Sequence, residues 1–212
     1  MDKGSEGAAR TAGIYRELEK ERGIRFTGLA MDEEERERNH PLMMRRKGIT
    51  LAMVNFTYGT NLGHTAHWPK TNYMGDRNGL LQALRDSESA DIVIALPHWG
   101  PEYDTLHSES QEETARWLAE NGADIIIGAH PHVVQDTASV QGIPVIYSLG
   151  NAVSNMSATN TQLELMVTLK VVRHWNGDID MMRPEITWLW CSRPGGYNGS
   201  YTVLPVVENM SG

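Results

Sequence analysis

The sequence predicts an α/β fold, and three observations carry that expectation. Two segments, RNGLLQALRDSESADIVIALPHWG (77–100) and SQEETARWLAENGADIIIGAHPH (110–132), share one pattern: a helix, a turn closing on Ala-Asp, then an apolar strand running to a histidine. Near-continuous apolar strands preceded by amphipathic helices are what a parallel sheet covered on both faces requires. A third stretch, GIPVIYSLGNAV (142–153), adds a short apolar strand that ends in a Gly-Asn turn.

The remaining elements are taken in chain order. Residues 5–22 place Ala8, Ala9, Ala12, Tyr15 and Leu18 at near three-to-four spacing among charges, and Gly23 ends the run, so a helix is expected. IRFTGLA (24–30) reads as a short strand. MDEEERERNHP (31–41) is a charge run expected to be a solvated loop or frayed turn, and no function is assigned to it. LMMRRKGITLAMVNFTYG (42–59) reads as two strands about a turn at Lys47-Gly48. NLGHTAHWPKTNYMG (61–75) has no period and reads as a long loop, a type that often carries function. Past the core, TQLELMVTLKVVRH (161–174) alternates, and DIDMMRPEITWLWCS (178–192) is its expected antiparallel partner across Asn176-Gly177. The tail PGGYNGSYTVLPVV (194–207) is turn-rich with one final strand. Residues 1–173 are expected to form the main domain, with 174–212 as its β extension.

Composition removes several function classes. The 212 residues carry 27 acidic against 19 basic side chains, a formal charge of −8. That balance opposes a general nucleic-acid binder. The single cysteine, Cys191, excludes an internal disulfide and any CxxC site. No run reaches the roughly 18 apolar residues of a membrane helix, and MDKGSEGAAR has no leader-like basic and apolar regions. The phosphate-loop, dinucleotide, serine-nucleophile and HExxH motifs are missing from the sequence.

What remains is histidine. In open α/β sheets ligands bind beyond the carboxyl ends of the strands, and both echoed strands deliver imidazoles there: His98 from one, His130 and His132 from the other. Neutral imidazole is a common metal ligand, and a site needs about three ligands on one point. Pro131 between the two later histidines fixes φ and stiffens the turn. His64 and His67 lie in the long loop, where they either line a cleft or, the reading preferred, are solvated. His40, His107 and His174 are read as surface groups. Trp99 is either packing or pocket wall, and Asn151 is read as a turn residue.

The segments PHWGPEY, GADIIIGAHPHVVQ and GIPVIYSLGN, in this order and spacing, resemble the CapA capsule-synthesis family linked to poly-γ-glutamate, within the calcineurin-like metallophosphoesterase superfamily. The resemblance covers almost all of residues 1–173. It implies a four-layer αββα sandwich with two metals between its central sheets. His130 and His132 match the two histidines of the superfamily's terminal Gly-His-x-His motif, with Ala129 inserted after the glycine. His98 matches the histidine that ends the preceding strand. All three would be ligands of divalent ions (manganese, zinc, iron or magnesium). Glu102 and Tyr103 fit the HWG-x-E-Y segment, which with His98 would form the catalytic, substrate-facing part of the site.

The family's opening Gly-Asp strand end and Asn-His ligand pair have no counterpart in this sequence, and Asp2-Lys3-Gly4 matches the stretch just after that pair. The expectation is therefore a sandwich lacking its first strands and its bridging carboxylate, binding metal weakly and exposing sheet edges open to self-association. The implied role is a metal-dependent hydrolase of cell-envelope polymer assembly, acting on an anionic polymer or a phosphate-containing small substrate. The alternatives are a non-catalytic assembly or polymer-binding component and, from the residues alone, a single-zinc enzyme with three histidine ligands.

Overall fold

The structure is a computed structural model that describes residues 3–61, 67–194 and 199–206. The chain divides into two compact units, Met1–His98 with Leu118–Ile125, and Trp99–Trp117 with Ile126–Gly212. Its described residues form four helices and several sheets, the mixed α/β class that the sequence predicts, and are compatible with an α/β sandwich. No helix among the described residues is long and apolar enough to cross a membrane.

The first unit opens with α1 (Gly4–Arg22), which Gly23 ends in a left-handed cap. The expected strand at 24–30 shrinks to β1 (Leu29–Ala30), paired antiparallel with β4 (Lys70–Thr71). The charge run departs further from expectation, because residues Glu33–Asn39 form the helix α2. Asp32 caps it by accepting from the Glu35 N–H at 2.8 Å. Glu35 is buried, and its carboxylate accepts from both Arg16 Nε and Nη2 at 2.8 Å and from the Met31 N–H at 2.7 Å. Burial pushes this carboxyl up, but those donors outweigh it and hold it below its ordinary range. The charges are thus partly a buried network, a pairing of α1 with α2 that the period of the run could not reveal.

β2 (Leu42–Arg46) and β3 (Ile49–Thr57) pair antiparallel across Lys47-Gly48 as expected, Leu42 opposite Met53. α3 (Arg77–Asp86), capped by Asp76, leads to β5 (Ile92–His98). β5 runs parallel to β3, with Leu51 opposite Ile92 and Thr57 opposite His98. Apart from Leu96 and terminal His98, every residue of β5 is buried. That is what a strand covered on both faces requires.

α4 (Glu109–Glu120) and β6 (Ile125–Ile127) carry the chain between the units. β6 stops three residues short of His130, earlier than the sequence implies. In the second unit β6 pairs parallel with β8 (Ile143–Ile146), and β8 pairs antiparallel with β7 (Thr137–Val140). β9 (Leu163–Thr168) pairs antiparallel with β12 (Glu185–Ser192), which also pairs with β13 (Thr202–Pro205). The Asn176-Gly177 turn joins β10 (Val171–Arg173) to β11 (Ile179–Met181), a separate hairpin. On β12, Ile186, Trp188 and Trp190 alternate onto one face and stay partly exposed.

His40 corrects the sequence reading most sharply. It is buried, and its Nδ1 accepts from Asn72 Nδ2 at 2.9 Å. Desolvation, helped by the Arg36 charge and opposed by Asp76, lowers its pKa to about 4. With an unfolded value near 6.5, the unfolded chain binds the extra proton between the two values. Its contribution to stability is therefore complete above about pH 6.5 and is lost as pH falls toward 4. At about pH 5 the loss is about 2 kcal/mol, from roughly 1.4 kcal/mol per pKa unit. Urea unfolding at neutral pH and at about pH 5 should show this loss, and His40→Gln should remove most of it.

Candidate functional site

The second unit builds its site on the turn that follows β6. Gly128 has no room for a side chain: a Cβ there would collide with the Tyr147 carbonyl oxygen and the Trp99 indole nitrogen. This close approach lets the Gly128 N–H donate to Ile146 O at 2.8 Å and the Leu149 N–H donate back to Gly128 O at 3.1 Å. Beyond it, His130 (φ 108°) and His132 (φ 63°) both take left-handed backbone conformations, with buried Pro131 between them. Non-glycine residues there store strain and cluster at functional sites. The two rings lie with centroids 6.0 Å apart.

The segment after β5 is strapped along this turn. The Trp99 N–H donates to Ala129 O at 2.9 Å and the Tyr103 N–H donates to Pro131 O at 2.8 Å. Trp99 is packing: it is 1% exposed, stacks on Tyr147 and donates its indole N–H to Tyr147 O at 2.9 Å. Tyr103, also at positive φ (67°), sets its exposed ring 6.0 Å from that of His132. Glu102 Oε1 lies 3.9 Å from His132 Nε2. Glu102, Tyr103, His130 and His132 thus stand together in the second unit.

His98 ends β5 in the first unit. Its Nδ1 lies 3.3 Å from Thr57 Oγ1 and its ring stacks 6.2 Å from Tyr58. His64 falls outside the described residues.

Asn151 is the residue that sequence reasoning undervalued. Gly150, not Asn151, carries the positive φ (77°) of that turn. Asn151 instead directs its amide at His132, with Oδ1 3.0 Å from Nδ1. The signal in the sequence was position: like the histidines, Asn151 comes after an apolar strand and a glycine.

His107 is not a free surface group either. Its Nδ1 meets Asp136 Oδ2 at 2.8 Å, its N–H donates to Asp136 Oδ1 at 2.9 Å, and its ring lies flat on Tyr147 at 3.9 Å. Next to it, buried Gln111 donates to Gln135 Oε1 at 2.8 Å, and Gln135 Nε2 donates to Asp104 O and Leu106 O. These bonds fix the loop that carries Glu102 and Tyr103. His174, paired with Asp180 at 2.8 Å, is the one of the three that sits at the surface as expected.

Electrostatics favours a neutral imidazole at His130. Burial lowers the pKa of His130, with Glu102 opposing and His132 adding to the effect. A neutral ring keeps a lone pair for a metal ion or a proton. The donor chemistry thus fits a divalent cation. The number is smaller than a metal site needs, since no group of three or more His, Cys, Asp or Glu side chains among the described residues is arranged to hold one.

Fold and site together define an α/β protein with a histidine-bearing strand-end site beside a carboxylate. Residues 1–156 match the family described as bacterial capsule synthesis protein PGA_cap, and the chain belongs to that family. It is 32% identical over 144 residues to the PGA biosynthesis protein CapA of Bacillus subtilis, covering 66% of this chain and 37% of that one. It is 45% identical over 80 residues to the capsule biosynthesis protein CapA of Bacillus anthracis, covering 37% of this chain and 19% of that one. The matches thus span well under half the length of these curated relatives. A hypothetical protein from Thermus thermophilus aligns with a TM-score of 0.40 and 16% identity over 68% of this chain and 60% of that one. So low a likeness has no bearing on function.

The close approach at Gly128 is directly testable. Gly128→Ala forces a backbone carbonyl and a buried indole apart, so it should cost about 1–3 kcal/mol. Gly13, inside α1 with open space about it, should respond oppositely, with Gly13→Ala stabilising by about 0.5–1 kcal/mol. Chemical denaturation of the two variants beside the parent checks both signs.

Proposed function

We propose that this chain serves the biosynthesis of a bacterial capsule polymer of the poly-γ-glutamate type, through a metal-dependent hydrolase-type site. The observation that carries this reading is the delivery of His130 and His132, by strained backbone, to the place where Glu102 stands. His130 and His132 would hold the ion. A bound divalent ion would supply Lewis acidity and positive charge.

That charge bears on the substrate. The named side chains of the site are imidazoles, a phenol and a carboxylate, with no lysine or arginine among them. An anionic polymer or a phosphate-containing substrate meets repulsion from Glu102 and from a chain of net charge −8 unless a cation intervenes. Tyr103, exposed beside His132, offers a hydroxyl and a ring face to such a substrate. The strap from Trp99 to Tyr103 keeps these groups against the histidine turn.

A second reading has its own support. The described residues bring one carboxylate beside the histidine pair, and two ions close together need bridging negative charge. A non-catalytic component of capsule assembly, binding polymer on the same scaffold, fits that shortage.

Titration of the purified chain with Mn²⁺ or Zn²⁺, followed by calorimetry, tests the metal reading. The expected result is one ion per chain, with affinity falling at least about tenfold in His132→Ala. Unchanged binding in that variant would remove the site from consideration. Incubation with poly-γ-glutamate and with a generic phosphodiester then separates the readings. Metal-dependent cleavage lost in His132→Ala marks the hydrolase, and polymer binding without cleavage marks the assembly component.

A further inference from the structure

Asn151 has two fixed sides, and they decide which proton His132 carries. Its Nδ2 faces Thr161 O at 3.3 Å and Met156 Sδ at 3.6 Å. A carbonyl oxygen can only accept, so the amide nitrogen belongs on that side and Oδ1 belongs on the His132 side. Thr161 is itself held firmly: it is fully buried, and its hydroxyl donates to Ala158 O at 2.7 Å. Asn151 cannot turn over without setting its oxygen against that carbonyl.

An acceptor oxygen 3.0 Å from His132 Nδ1 requires a proton on Nδ1. The neutral ring then has a bare lone pair on Nε2, the atom 3.9 Å from Glu102 Oε1. Two acceptors face each other there, and in the neutral ring neither carries a proton to give. Such a pair is satisfied by something that offers positive charge or a donor to both.

We propose that Asn151 is the positioning residue of this site. It locks His132 in its Nδ1–H tautomer and so presents the Nε2 lone pair, together with the Glu102 carboxylate, as a ready-made acceptor pair for a cation. A ligating histidine commonly has its other ring nitrogen bound to an oxygen acceptor, which fixes the tautomer and raises ligand basicity. The tautomer is set by the protein's own hydrogen bonds. Only the choice of a divalent metal as occupant rests on the reading given under Proposed function.

The test is long-range proton–nitrogen NMR of the metal-free full chain, labelled with ¹⁵N at histidine, at about pH 8, where imidazole is neutral. The expected spectrum shows His132 with a protonated Nδ1 and an unprotonated Nε2. Asn151→Ala should shift the ring toward the Nε2–H form. Asn151→Asp retains an accepting oxygen but loses donation to Thr161, so it should keep the Nδ1–H form. A merely structural role predicts the reverse, with both variants disturbed alike, because both lose the Thr161 bond. Circular dichroism and amide dispersion establish that each variant is folded.

Titration with Zn²⁺ alone supplies the second readout, with affinity down about 10–100-fold in Asn151→Ala and largely retained in Asn151→Asp. An Nε2–H ring in the parent, or a ring indifferent to Asn151→Ala, overturns the inference. The expected tautomers without any Zn²⁺ binding would leave the positioning role standing and overturn the metal reading instead.

Discussion

The left-handed backbone at His130 and His132 is the constraint on which the rest of the second unit depends. Each such residue costs of order 1–3 kcal/mol and persists only where its surroundings over-determine it. Here they do so from several directions. The Trp99 and Tyr103 N–H groups donate to Ala129 O and Pro131 O on one side. Ser148 Oγ donates to Val133 O at 2.8 Å on another. Beneath the turn, Gly128 permits the approach of Tyr147 that any side chain would prevent. Remove that approach and both histidines lose their footing.

The supports are themselves polar and buried, which makes them specific. Gln111, Gln135 and Ser148 are each 2% exposed or less and hydrogen-bonded. A buried polar group costs free energy unless its partners are in place. One arrangement of the loop from Trp99 to Ser108 therefore satisfies them, and that arrangement sets Glu102 and Tyr103 beside His132. Tyr147 lies at the hub, in stacking contact with both Trp99 and His107. Its hydroxyl has no hydrogen-bond partner among the described residues, and burial, with Glu112 and Asp136 adding to it, pushes its pKa up to about 12. It acts as a packed ring that keeps its proton.

The first unit obeys the same logic without a histidine turn. Glu35 is buried because Arg16 and the Met31 N–H meet it. His40 is buried and neutral because Asn72 offers it a donor, while the same Asn72 amide also reaches Asn55 O at 3.0 Å. In both places an ionisable side chain is held by a partner far away in sequence.

The sequence by itself determined the α/β class, the helices α1, α3 and α4, the paired strands β2 and β3, and the placing of His98 at the end of a strand. These features are local. Apolar period, capping residues and glycine stops act over a few neighbours and are visible wherever the chain is read. Family resemblance singled out Glu102 and Tyr103 as substrate-facing candidates, which periodicity alone could not. Only the tertiary structure decided that the run at 31–41 folds as a helix around a buried Glu35, that His40 is interior and His107 stacked, and that Asn151 addresses His132. Each of these depends on a partner between about nineteen and forty residues away. A polar side chain looks the same in sequence whether water or a distant donor satisfies it, and only packing chooses between them.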